Sequence, residues 1–193
     1  CKKGSNETTI TGEIKGLGTD TLYLYGMDEL YDRIDTIYVE NDKFSYTTSV
    51  DTITSAYLLL KNRIEYPVFL DKGNKIKIKG DTINLNFLTI SGNIYNEEFT
   101  DFQKALEDPA DPSEKAGEET VDKRITVEKA NTAEEMAEEF ILQHHSSYVS
   151  LYLLDKYFVQ KETPDFSKIK KLVEVMTLSL IHISEPTRLR RIS

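Results

Sequence analysis

The sequence predicts a chain that is α+β by segment, with an N-terminal antiparallel β-sandwich or open barrel of about 7–8 strands followed by an all-helical segment. Three observations carry this. From Thr8 to about Ile90 apolar residues alternate with polar ones, the period-two spacing of strands buried on one face. The alternation is interrupted by turn strings, among them Glu40-Asn41-Asp42-Lys43 and Asp71-Lys72-Gly73-Asn74, built from residues that favour tight reversals. After Gly92 the apolar spacing lengthens to about 3.6 residues, the period of a helix face.

In chain order, Ile10, Gly12 and Ile14 share one face of the first strand, and Leu22 and Leu24 oppose Tyr23 and Tyr25 in the second. Ile34 to Val39 feeds the first turn string, and Phe44, Tyr46, Thr48 and Val50 alternate on the return strand. Ala56 to Leu60 is nearly continuous in apolar residues, as a strand buried on both faces would be. Pro67 to Leu70 leads into the second turn string. Ile76 and Ile78 then line one side of a lysine-rich strand, and a last strand is expected over about Asn84 to Ile90. Successive strands are expected to pair antiparallel. Ile94, Tyr95, Phe99, Phe102 and Leu106 predict a helix from about Tyr95 to Leu106. The charged, proline-bearing stretch EDPADPSEKAGEETVDKR reads as a connection or a loosely packed helix. Thr132 and Glu135 have capping-box spacing and are expected to open a helix with Met136, Phe140 and Ile141 on its apolar side. Another helix is expected from about Ser147 to Phe158. A third is expected to start with Thr163 as N-cap and Pro164 in the first turn, to carry Phe166, Ile169, Leu172, Val173 and Met176 as one apolar stripe, and to stop at Met176.

The 193 residues carry 24 basic and 33 acidic side chains, a net charge of -9. That balance opposes phosphate backbones and anionic lipid surfaces, so nucleic acid is not expected as a partner. No apolar run approaches the ~20 residues needed to cross a bilayer as a helix. Cys1 is the sole cysteine and is followed by Lys2-Lys3-Gly4-Ser5-Asn6. The arrangement resembles a mature bacterial lipoprotein, with acyl chains on the first cysteine and a polar tether of residues 1–7 behind it. Each buried acyl methylene contributes roughly 0.8 kcal/mol, so two or more chains would hold the domain on a membrane without a spanning helix.

Few residues are placed for chemistry. His144-His145 could bind a metal, but adjacent residues at a helix end diverge and lack a nearby carboxylate or cysteine at ligand spacing; they read as a helix-terminal pair interacting with the last carbonyls. Glu134, Glu135, Glu138 and Glu139 could hold an acid/base pair, yet their i, i+4 layout opposite Met136 and Phe140 reads as a solvated face. Tyr23 and Tyr25 could stack on a sugar ring, or pack beneath a loop or helix. GEIKGLG lacks the lysine and following helix of a phosphate loop, and no serine sits in a nucleophile elbow. No catalytic residue, cofactor or metal is expected.

Several segments together resemble a known arrangement: TITGEIKGL, DTLYLYGMD, IDTIYVENDKFSYTTSVD, YPVFLDKGNKIKIKGD, LTISGNIYNEEFTDF and EEFILQHHSSYVSLYLLDKYF. Their order and spacing resemble the domain of unknown function that precedes thioredoxin-like (AhpC/TSA, redoxin) domains in lipoproteins of gut anaerobes. The likeness runs from about Thr8 to Met176. It implies a downstream redoxin domain with a Cys-x-x-Cys pair, in which a low-pKa thiolate attacks a substrate disulfide and a second cysteine resolves it. The end of the chain, Leu178 to Ser193, resembles a translated sequencing adapter, its LSLIHISEPTR string above all, so native sequence is expected to end near Met176 or Thr177. The expected organisation is a lipoprotein tether over 1–7, a β-sandwich domain over 8–92, a helical segment over 93–176 leading to the redoxin domain, and an artefactual tail over 177–193. The expected function is a non-catalytic accessory region of a periplasmic, membrane-anchored thiol-disulfide oxidoreductase. Its partners would be the membrane, through acylated Cys1, its own redoxin domain and possible protein substrates. The alternative is a surface lipoprotein module that binds a glycan or peptide.

Overall fold

The structure is a computed structural model and describes residues 6–26, 29–60, 63–107 and 122–183; for residues 29, 122–131 and 178–183 it describes the backbone only. Cys1 and residues 184–193 therefore lie outside the described residues. The chain divides into two compact units, Cys1–Ala105 and Leu106–Ser193.

Among its described residues the first unit holds eight strands: β1 (Glu7–Lys15), β2 (Asp20–Gly26), β3 (Ile34–Val39), β4 (Lys43–Ser49), β5 (Thr54–Leu60), β6 (Ile64–Leu70), β7 (Lys75–Asp81) and β8 (Thr89–Ser91). They form two sheets, ordered β4-β1-β7-β8 and β3-β2-β5-β6, and do not close into a barrel. The alternation read from the sequence is the alternation of burial. Ile10, Ile14, Ile76 and Ile78 from the first sheet, and Leu22, Leu24, Ile37, Ala56 and Leu58 from the second, are all buried. Asn41 and Asp42 both take positive φ, 50° and 68°, which gives the tight β3–β4 hairpin a twist that matches its strands. Gly12 faces inward because the Phe44 ring lies across it; a Cβ there would sit 2.1 Å from Phe44 Cζ.

Three expectations about the strands change. β1 pairs antiparallel with β4 but parallel with β7, so the first sheet is mixed and not a succession of antiparallel neighbours. Period-two alternation reports which face is buried and carries no information on the direction of the neighbouring strand. The last strand is only Thr89–Ser91. Before it, the Asp81 carboxylate accepts from Ile83 N–H at 2.9 Å and caps a short turn over Thr82–Asn84, leaving Ile83 93% exposed. Finally, β6 starts at Ile64 and runs through Pro67. Pro67 fits because β6 is an edge strand and proline there loses no ladder bond.

That edge is covered by α1 (Ile94–Glu107). Asn96 is 1% exposed; its side-chain amide accepts from Phe69 N–H at 2.9 Å and donates to Phe69 C=O at 2.8 Å. It thereby stands in for the strand that β6 lacks. Since Phe69 directs its polar groups away from β5, Pro67, two residues earlier, directs its missing N–H the same way. One helical turn on, the Thr100 hydroxyl accepts from Ile90 N–H and donates to Ile90 C=O, both at 3.0 Å, on the open edge of β8. A turn further, Gln103 accepts from the Tyr66 hydroxyl, which also contacts the Leu88 backbone. Asn93 caps the helix through Asn96 N–H and donates to Phe69 C=O and to the Asn74 side chain. Gly92, at φ 110°, makes the entry possible, because a Cβ would lie 2.2 Å from Lys75 C=O. The buried face of α1 thus centres on Asn96, Phe99 and Thr100, whereas Ile94 is exposed.

The second unit contains α2 (Asp122–Gln143), α3 (Tyr148–Leu154) and α4 (Phe166–Ile183). Its core includes Ala137, Ile141, Val149, Leu153, Phe158, Leu172 and Met176. α2 begins ten residues before Thr132, so Thr132 and Glu135 lie inside the helix and do not cap it. Ser147 caps α3 by accepting from Val149 N–H at 3.2 Å, and α3 widens into a π-turn over Asp155–Val159. α4 is capped by Asp165 and not by Thr163: its carboxylate accepts from Ser167 and Lys168 N–H at 2.9 and 3.1 Å, the stronger choice because an anion also meets the helix dipole. Phe166, 76% exposed, and Val173 leave the expected stripe, and α4 runs through Met176 to Ile183.

Asn96→Leu keeps the branched outline of the side chain and removes the surrogate strand, leaving Phe69 N–H buried without a partner. The expected loss is about 2 kcal/mol of stability, read by chemical denaturation; a stability equal to that of the parent would show that the edge needs no cap.

Candidate functional site

The outward face of the second sheet collects the unit's exposed aromatic residues. Its register sets Ile34, Tyr25, Tyr57 and Pro67 in one row across β3-β2-β5-β6, and Thr36, Tyr23, Leu59 and Glu65 in the next. Tyr38 lies beside Thr21 in a third. The expectation placed only Tyr23 and Tyr25 here. Tyr57 joins them through the β2–β5 pairing, which the sequence does not encode locally. Tyr23 is 41% exposed, and Ile34 and Tyr38 are each 73% exposed, so this face is not packed under a loop. The rings of Tyr25 and Tyr57 are 5.7 Å apart and tilted by 40°. The Tyr25 hydroxyl donates to Glu65. Partial burial, then that acceptor and its charge, push the Tyr25 pKa up. The result is a part-exposed aromatic surface tied at one corner to a carboxylate.

A second polar cluster, missed in the sequence, joins the turn at Glu29–Tyr31 to β3 and β4. The Tyr31 hydroxyl donates to Asp35 and lies 3.1 Å from Thr48 Oγ1. Arg33 Nε bonds Asp35 at 3.1 Å, its Nη2 donates to Ser49 C=O at 3.1 Å and to Thr48, and its guanidinium lies 4.7 Å from the Tyr31 ring centroid. Burial, then the Asp35 hydrogen bond, push the Tyr31 pKa up to about 12. These side chains engage one another, so the cluster ties edge strand β3 to edge strand β4.

The remaining candidates have structural roles. His144 stacks on Phe140 at 4.4 Å, and its carbonyl accepts from Ser147 N–H and Ser150 Oγ at 2.8 and 2.7 Å. His145 Nδ1 is buried and has no hydrogen-bond partner among the described residues. The histidine rings are thus not what satisfies the His144 carbonyl; the serines after them do that. No group of three or more metal-ligating side chains occurs among the described residues. The glutamate run is not simply a solvated face. Glu134 pairs with Lys161 at 2.5 Å and Lys168 at 3.4 Å, and Glu138 with Lys168 at 2.7 Å. Glu139 accepts from Gln143 at 2.9 Å. The Lys161 hydrogen bond, and then the charges of Lys161 and Lys168, hold the Glu134 carboxyl below its ordinary range. The hydrogen bond to Glu138 raises Lys168, whose ammonium also lies 5.1 Å from the Phe158 ring centroid. No helix among the described residues is long and apolar enough to cross a membrane.

A carboxylate with a depressed pKa contributes stability above its ordinary value of 4.5, which is lost as the pH falls through its lower folded value. Glu134→Gln is therefore expected to destabilise the helical unit by about 1 kcal/mol near neutrality and by progressively less in acid. A deficit that stays constant across the acid range, followed by thermal melts, would assign the effect to packing instead of charge.

No curated protein and no solved structure matches this chain. Residues 8–99 match the family described as Domain of unknown function (DUF4369); the matched segment starts in β1, takes in all the later strands and ends inside α1, past the edge-capping Asn96.

Proposed function

We propose that this chain is the non-catalytic N-terminal accessory region of a membrane-anchored, periplasmic thiol-disulfide oxidoreductase of the thioredoxin-like family. In this reading Cys1 is the lipid attachment site, and the redox cysteines belong to a domain outside this chain. The order of the motifs from Thr8 to Met176 supports it, as does the match of residues 8–99 to a domain of unknown function. The observation that carries most weight is the use made of the titratable side chains. Glu134 and Glu138 bind Lys161 and Lys168, and Tyr31, Arg33 and Asp35 bind one another. That arrangement suits a domain that positions or selects partners while chemistry proceeds elsewhere.

The purified chain is expected to leave insulin disulfides unreduced with or without alkylation. The uninterrupted coding sequence is expected to place a Cys-x-x-Cys within about 150 residues, one domain length, downstream. Insulin reduction that alkylation abolishes would overturn the reading, as would a continuous gene without the cysteine pair.

A second reading is favoured by the tyrosine face: a surface module that recognises a glycan or peptide. Tyr23 is exposed and Tyr57 lies beside Tyr25 on the same face, and an aromatic stacking contact contributes about 0.5–1.5 kcal/mol beyond the area it buries. Tyr23→Ala is expected to weaken such a ligand about threefold to tenfold in calorimetric titration. Unchanged affinity in Tyr23→Ala and Tyr57→Ala would remove this face from recognition.

A further inference from the structure

We propose that the outward face of the first sheet is a docking surface for the anionic headgroups of a membrane. The net charge of -9 argues against such a partner only if charge is spread evenly, and it is not. Across β4-β1-β7 the outward rows read Thr47, Thr9, Lys75; then Ser45, Thr11, Lys77; then Lys43, Glu13, Lys79. Ser91 and Thr89 of β8 extend the last two rows. These three central rows hold four lysines against one carboxylate and no large apolar side chain; with the flanking Glu7 row and the Lys15 and Asp81 row the face holds five lysines against three carboxylates. Lys43, Lys75, Lys77 and Lys79 are exposed, and none forms an ion pair among the described residues. The opposite sheet presents tyrosines and no lysine or arginine in the paired rows described above. The strands have therefore separated a basic face from an aromatic one.

Geometry selects the class of anion. Residues two apart on a strand are about 6.6 Å apart and neighbouring strands about 4.8 Å. The column from Lys75 to Lys79 is thus about 13 Å long, and Lys43 lies two strands from it. Spread over three strands and about 13 Å of strand length, these lysines stand side by side. A single phosphate would meet one or two of them, whereas a plane of headgroups meets all four. Exposure keeps the lysines hydrated, as suits attraction across a wet interface without burial.

The start of β1 lies at the same place. Asn6 precedes β1, and the parallel register puts Lys75 beside Thr9. Cys1 is five residues before Asn6, about 18 Å at full stretch. An acyl group on Cys1 would bring the lysine column within reach of the bilayer. That proximity rests on the lipoprotein reading; the charge argument does not.

The test uses the full chain without an acyl group, floated with vesicles of phosphatidylglycerol and phosphatidylcholine or of phosphatidylcholine alone. Association is expected only with the anionic vesicles and is expected to fall with added salt. Each Lys near such a surface contributes about fivefold to partitioning, so K75Q/K77Q/K79Q should lose about 100-fold with an unchanged circular dichroism spectrum, while K170Q on α4 should lose little. Equal flotation with both vesicles, retention of binding by the triple variant, or capture by soluble polyphosphate in preference to vesicles would each overturn the proposal. Because the chain is unacylated and no redox step is measured, none of these outcomes bears on the oxidoreductase reading.

Discussion

The first unit depends on a pair of hydrogen bonds between the Asn96 side chain and the backbone of Phe69. An open sandwich has edge strands with unpaired N–H and C=O groups, and such edges invite pairing with other chains. Here the edges of β6 and β8 are satisfied by Asn96 and Thr100, one turn apart on a single helix. A primary amide presents an N–H donor and a C=O acceptor side by side, so asparagine can replace a strand residue. Threonine does the same with one atom, because a hydroxyl both donates and accepts. The helix can then pack Phe99 against Tyr66 and Phe69, burying apolar area without orphaning backbone groups.

The other flank is closed differently. Consecutive strands β3 and β4 lie on different sheets, and the Tyr31, Arg33, Asp35 and Thr48 cluster joins them. Both flanks are closed by polar side chains, buried at Asn96 and Thr100 and partly exposed at Arg33 and Asp35, and this leaves the two broad outer faces free of structural duty. One carries tyrosines and the other lysines. A composition average cannot report such a division, and the sign of the total charge misdescribes the surface that a partner would meet.

What was legible in the sequence followed from local periodicity. The buried columns of β1, β2, β5 and β7, and the turn at Asn41-Asp42, rest on side-chain alternation and on residues that tolerate positive φ. What was not legible depended on pairing between distant segments or on polar groups used in apolar places. Asn96, Thr100 and Gln103 are spaced as one helix face but are polar, so a search for apolar periodicity passes over them and assigns Ile94 to the core. The parallel β1–β7 pairing leaves no mark in either strand. Thr163-Pro164-Asp165 offers two caps in three residues, and the anionic one prevails. At the tyrosine face, Tyr23 and Tyr25 could be paired because they share a strand; Tyr57 and Glu65 become their neighbours only through the sheet.

The position of β1 has a mechanical consequence. It is the first strand in the chain, yet it lies inside its sheet, bonded to β4 on one side and β7 on the other over nearly its whole length. Tension applied at Asn6 along the strand would load both ladders in shear, so their bonds must yield together and not one after another from an end. The first unit therefore resists extraction by its leading strand, whatever tugs on it.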